Sequence, residues 1–169
     1  VLCDPPSMAA VDVRGASPGS SDTEMLHPLA ADRPVNGILL TGGSVFGLAA
    51  TVGIVRYLTE HGIGSPFGGI IVPLCPAAVI FDLGLVTRRV QPTAADGYAA
   101  CNATGIDVAE GSVGAGTGAT VGGLRGLRRR IKGGLGTGSV DLGAGLVVGT
   151  LVVLNPVGGI VDPYTGEIV

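Results

Sequence analysis

The chain has 169 residues, which makes one domain the default expectation; 46% of them are hydrophobic, only 14% are charged, and the mean hydropathy is +0.56. A formal net charge of −3 and a pI near 5.2 give no general attraction to nucleic acid, and no uninterrupted apolar run reaches the ~18 residues that a membrane-crossing helix requires. The apolar excess therefore points to deep burial or a broad subunit interface, and 31 glycines, against a usual share of about 7%, point to many turns and close backbone approaches.

The chain opens on Val1-Leu2-Cys3, which reads as the tail of a strand, with no initiator methionine or signal peptide ahead of it. Ala9 to Val13 alternates and is expected to be a short strand that pairs back on the first. Arg14 to Thr23 is rich in turn formers, Glu24 to Ala31 suggests one helical turn, and Asp32 to Asn36 leads the chain back inward. Ile38, Leu39 and Leu40 then make a buried strand, and Thr41-Gly42-Gly43-Ser44 a tight turn. From Val45 the apolar residues Phe46, Ala49, Ala50, Ile54, Tyr57 and Leu58 recur at helical spacing, with Ser44 expected as N-cap and Gly62 as the C′ stop. This elbow lacks the G-K-[ST] of a phosphate loop and the final glycine of G-x-S-x-G, because Phe46 stands there. It is either a capped turn or a site-lining one, with Gly43 and Ser44 as candidate substrate-binding residues.

Beyond a turn region at Gly64 to Gly69, Ile70 to Val72 and Ala77 to Phe81 read as strands, and Thr93 to Cys101 as a short helix with Ala94, Ala95 and Tyr98 toward the core. The segment from Ala109 to Gly138 is dense in glycine. Its spacing predicts backbone packed on backbone, with an anion-binding nest at Gly114 to Gly118 as the alternative. The basic run Arg125, Arg128, Arg129, Arg130 and Lys132 lies inside it without aromatic neighbours, as a solvated or interface patch would. Ser139 to Leu142 alternates. Gly145 to Asn155 is apolar at both parities, the pattern of a strand buried on both faces. Gly158 to Val161 and Glu167 to Val169 suggest a hairpin around Asp162 to Gly166. Several strands with two helices predict an α+β layered fold.

Chemistry-bearing residues are few. Cys3, Cys75 and Cys101 are scattered, no C-x-x-C occurs, and His27 and His61 stand far apart, so neither a disulfide framework nor a metal site is signalled and no cofactor is expected. Buried free thiols in a reducing, cytoplasmic compartment fit best. Asn155 at a strand end either holds a turn together or aims its NH₂ into a site as an oxyanion donor. Lys132 is either a surface lysine or a cation that reaches a cleft, and Asp82 fits a turn cap better than an acid.

Four blocks in order, Ala9 to Gly19 (AAVDVRGASPG), Leu40 to Leu48 (LTGGSVFGL), Glu110 to Thr120 (EGSVGAGTGAT) and Lys132 to Thr137 (KGGLGT), closely resemble the self-processing aminopeptidases. That family includes L-aminopeptidase/D-esterases, β-peptidyl aminopeptidases and the nylon-oligomer hydrolase. The resemblance implies a four-layer α/β/β/α sandwich like that of N-terminal nucleophile hydrolases, with different strand connectivity. It also implies a precursor that cuts itself ahead of a Ser or Thr, which then heads a smaller β fragment and attacks small peptides, amides or esters. The present residues would be the larger α fragment, with that β fragment as partner and homo-oligomers of αβ units as the assembly. From the residues alone both ends read as cut, disordered or processed, and Val169 is not the Asn or Gly after which the family usually cuts. Asn155 in Leu154-Asn155-Pro156 matches the family's oxyanion asparagine. Phe81 stands where the nylon-oligomer hydrolase has a site tyrosine, and Gly123 where relatives place a lysine, for which Lys132 is the candidate substitute. Two rival readings are a non-catalytic relative with a pocket under Ser44, and a phosphate or nucleotide binder that uses the glycine nests.

Overall fold

The computed structural model describes residues 1–30, 33–85 and 90–168, the side chains of Arg125 and Leu127 excepted. The fold is a mixed α+β arrangement of short sheets in two compact units: Val1–Val79 with Val90–Ile106, and residues 80–85 with 107–168. Ala31, Asp32 and Val169, at which three of the expected segments begin or end, lie outside the described residues.

In the first unit, β1 (Leu2–Ser7) pairs antiparallel not with Ala9 to Val13 but with β3 (Val35–Gly37). Val1 and Ile38 exchange two further bonds of 2.8 and 2.9 Å, so that edge is already filled and 9–13 runs as irregular chain. The register places Leu2 opposite Gly37 and Ser7 opposite Val35, so residues 3 to 6 all arch over Asn36. Pro5 and Pro6 lack the N–H that a ladder requires. Under the arch, against Tyr57, Leu58 and Ile63, lies a cavity of about 410 Å³.

Asn36 is 1% exposed. Its N–H donates to the Leu74 carbonyl and its Oδ1 accepts the Leu74 N–H, both at 2.9 Å. Asn36→Ala strands that buried N–H and is expected to cost about 1–3 kcal/mol. Urea unfolding checks it, and an unchanged midpoint would remove the clamp from the account.

A three-stranded sheet runs β2 (Ser20–Ser21), β7 (Ala77–Val79), β4 (Leu39–Thr41), with β4 parallel to β7. Parallel neighbours need a crossover, here α1 (Ala50–Glu60) followed by the hairpin β5 (Ser65–Phe67) and β6 (Ile70–Val72). Gly68 and Gly69, both at positive φ, make that two-residue turn. The end of α1 is the expected one: Gly62 is left-handed, Ile63 N–H reaches the Leu58 carbonyl at 2.8 Å and Gly62 N–H that of Thr59 at 3.1 Å, a Schellman pair.

The start of α1 differs from expectation. Residues 44–49 form a 3₁₀ turn, Gly43 is the left-handed residue ahead of it, and no side chain caps it, so Ser44 is not an N-cap. Gly47 sits so close beneath the Gly42 carbonyl that a Cβ would overlap it, which holds the turn tighter than an α-helix.

α2 (Ala94–Asn102) begins with Thr93 and Asp96 in a reciprocal capping box and buries Gly97 and Cys101; of the residues expected toward the core, Ala94 and Tyr98 are half-buried, Tyr98 edge-on against Tyr57, and Ala95 is exposed. Ile54, Leu58, Cys75 and Cys101 form the core of this unit, and burial pushes the Cys75 thiol up to about 12.

The second unit holds β8 (Thr120–Val121) antiparallel to β9 (Ile131–Lys132), and the seven-residue pair β10 (Leu135–Asp141) and β11 (Val147–Val153). Its buried residues include Ile80, Ala119 and Val121. Backbone does lie on backbone in the glycine segment: a Cβ on Gly134 would come within 2.9 Å of three Gly111 atoms. The reading of a doubly buried strand is corrected: β11 covers Val147–Val153, and Val147, Val148 and Val152 are about half exposed, at 58%, 46% and 51%. An apolar run of both parities signals a covered strand, and the described residues supply no cover for it. The expected last hairpin is a single bridge, Val161 to Ile168, closed by the Asp162 carboxylate on the Tyr164 and Thr165 N–H groups.

Candidate active site

Asn155 follows β11 and is solvent-exposed. Its Oδ1 accepts the Phe81 N–H at 3.1 Å, across 74 residues of sequence. That bond settles the orientation of the amide, since a backbone donor must face the oxygen and not the NH₂. The carbonyl side is thereby committed, and Nδ2 keeps two donors at the strand end with no partner among the described residues. Anchoring one side of an amide and presenting the other is the arrangement an oxyanion donor requires.

Phe81 itself is 58% exposed and brings no hydroxyl. Asp82, next in sequence, lies directly against Gly118, where a Cβ would overlap its carboxylate.

Lys132 is tied into the same unit. Its Nζ donates to the carbonyls of Gly116 and Thr117 at 2.7 Å each and of Ala119 at 3.2 Å. All three ammonium donors are thus used. The glycine loop turns carbonyls toward that cation, whereas an anion nest would turn N–H groups toward its ligand.

The strand after Lys132 leads to Asn155: Gly133 N–H bonds the Ala119 carbonyl at 2.9 Å, and Leu154 N–H bonds the Gly134 carbonyl at 3.1 Å. The structure therefore brings Asn155, the Phe81 backbone and the Lys132 segment together, while Gly43 and Ser44 belong to the first unit. There Gly43 packs against the Pro92 ring, which a Cβ would approach to 2.8 Å.

Sequence reading did not separate Arg130 from the rest of its basic run. It is half-buried and its guanidinium lies over Gly123, whereas Arg128 and Arg129 are exposed. Among the described residues no group of three or more His, Cys, Asp or Glu could hold a metal, and no helix is long and apolar enough to cross a membrane.

The chain belongs to peptidase family S58, whose model matches residues 2–163. It is 47% identical over 166 residues to an uncharacterized aminopeptidase of Mycobacterium tuberculosis (strain H37Rv), and equally to one of Mycobacterium bovis. A Mycobacterium leprae relative, also described as an uncharacterized aminopeptidase, is 46% identical over 174 residues. In each case the match covers 98% of this chain but 46% of the relative, so the chain spans about half the length of the curated relatives it matches.

Proposed function

We propose that these residues are the α part of an amide hydrolase of aminopeptidase type that cuts its own precursor. In this reading the cut frees a Ser or Thr on a β fragment outside these 169 residues, and its hydroxyl attacks the carbonyl of an N-terminal amide, or of a small peptide or ester. The nucleophile's proton passes to its own α-amino group. Asn155 Nδ2 takes up the charge that develops on the carbonyl oxygen, the amine leaves with a proton, and water then resolves the acyl-enzyme. Lys132 serves as a positioning cation that gathers the carbonyls of residues 116, 117 and 119, and Phe81 positions Asn155 through its backbone while its ring lines the site. Gly43 and Ser44 are assigned to substrate binding. No cofactor enters the scheme.

The observation that carries this reading is the Phe81–Asn155 bond, which leaves the amide donors presented, in a chain of a peptidase family. The half-exposed valines of β11 support a four-layer sandwich in which the β fragment covers this hairpin, and homo-oligomers of αβ units would hide further apolar surface. Two buried free thiols, Cys75 and Cys101, suit the cytoplasm. A non-catalytic relative is the rival reading, and the full commitment of Lys132 to backbone carbonyls is what favours it.

Intact mass of the full-length gene product decides between the two. Two fragments, the smaller headed by Ser or Thr, are expected, and a single uncut mass that persists on storage would sink the hydrolase reading.

A further inference from the structure

We propose that Arg130 anchors a carboxylate of the substrate, which makes short peptides with a free C-terminus the preferred class; this rests on the peptidase reading above. Arg130 differs from its neighbours by burial. Arg128 and Arg129 are exposed, but Arg130 is half-buried and its Nε is sealed from solvent with no hydrogen-bond partner. The ion pairs among the described residues are Arg14–Asp12 and Arg56–Glu60, so no carboxylate among them is paired with Arg130. A guanidinium left on a surface meets its N–H groups with water. Partly stripped of water and held by its packing, the Arg130 guanidinium keeps its Nη donors for an acceptor from elsewhere.

Its position is held from below. Nε, Nη2 and Cζ lie at 3.3, 3.4 and 3.5 Å from the point a Cβ on Gly123 would occupy, so the guanidinium rests on a residue without a side chain. The turn beneath is clipped on both sides of Gly123: Gly122 N–H to the Gly158 carbonyl at 2.7 Å, and Leu124 N–H to that of Val157 at 3.1 Å. Val157 is two residues beyond Asn155, at most about 7 Å along an extended chain. Arg130 is therefore fixed beside the loop that carries the presented amide.

In a dipeptide the carboxylate carbon is three bonds from the carbonyl carbon under attack, so for this anchor to act the Arg130 Nη groups must reach within one residue's length of the scissile carbonyl when its oxygen meets Asn155. With Nε packed away over Gly123, the two Nη–H groups are the donors left to meet two carboxylate oxygens in one plane. A net charge of −3 and the lack of aromatic residues in the basic run argue against a nucleic-acid backbone as the anion.

The test compares alanyl-alanine with alanyl-alanine amide on the full-length, self-processed protein. Wild type is expected to show a KM about tenfold lower for the free acid, as a charge-assisted hydrogen bond would give. Arg130→Ala should bring the acid-to-amide ratio of kcat/KM to about one through the KM of the acid. Arg130→Lys should recover only part of the ratio, because a point charge lacks the fork. Equal losses on both substrates together with a lowered Tm would place Arg130 in a structural contact and overturn the proposal, as would an unchanged ratio. If wild type cleaves neither peptide, the intact-mass result alone decides the peptidase reading. Calorimetric titration of alanyl-alanine into wild type and Arg130→Ala then still decides the anchor: tighter binding by wild type upholds it, and equal binding overturns it.

Discussion

Asn155→Asp in the full-length protein is expected to lower kcat by about 10²–10³-fold, a loss of about 2.7–4 kcal/mol of transition-state stabilisation, while the fold stays intact. The aspartate is the informative variant because it is nearly the same shape. It keeps an oxygen to accept the Phe81 N–H, the bond of 3.1 Å that holds the end of β11 to residue 81. It removes both Nδ2 donors and sets a negative charge where the oxyanion would form. Asn155→Ala removes donor and anchor together, so it should show the same kinetic loss with an added loss of stability of the size of one hydrogen bond, about 0.5–1.5 kcal/mol, seen as a lower Tm. Extent of self-cleavage is read by mass in the same samples, so that a processing defect is not mistaken for slow turnover. A wild-type kcat in a processed Asn155→Asp protein would end the oxyanion assignment.

What could be read from the sequence was local. The stop of α1 at Gly62 depends on residues 58 to 63 alone, and it was legible. Thr93 and Asp96 begin α2 within a single turn, and the helix was found with its bounds displaced by about one residue. The 3₁₀ turn at 44–49 was missed because it follows from Gly47 packed under the Gly42 carbonyl, a contact that apolar spacing does not encode. β11 was found as a strand but taken as buried, since a run of valines reports a need for cover without naming the surface that meets it. Asn155 was singled out as one of two alternatives, and only its partner, 74 residues away, sets which side of the amide is presented. Arg130 was invisible because Arg128, Arg129 and Arg130 are equivalent letters until Gly123 admits one of them. The positions that sequence reading failed to resolve are those fixed by contacts between distant segments.

Gly53→Val is expected to destabilise the protein by about 3 kcal/mol, the upper part of the usual range for forced overpacking. Gly53 of α1 and Gly97 of α2 are both buried and face each other's helix. A Cβ on Gly53 would overlap the Ala94 carbonyl, and one on Gly97 that of Ala50. Each glycine costs its own helix about 1 kcal/mol relative to alanine, and two are kept because backbones this close leave no room for a methyl group. The approach also sets the rest of the pair. Tyr98 Oη donates to Glu60 at 2.6 Å, Arg56 Nε donates to the other Glu60 oxygen at 2.8 Å and its guanidinium lies over the Tyr98 ring, and Tyr98 with Arg56 holds the Glu60 carboxyl below its ordinary range. A wedge at residue 53 would separate these groups as well. Ala99→Val, on the exposed side of α2, is the control and should cost only the propensity difference, about 0.5–0.7 kcal/mol. Urea midpoints of the two variants in the full-length protein, with amide exchange in α1 and α2, measure the contrast; equal small losses would mean that the helices have slack between them, and the two glycines would need another explanation.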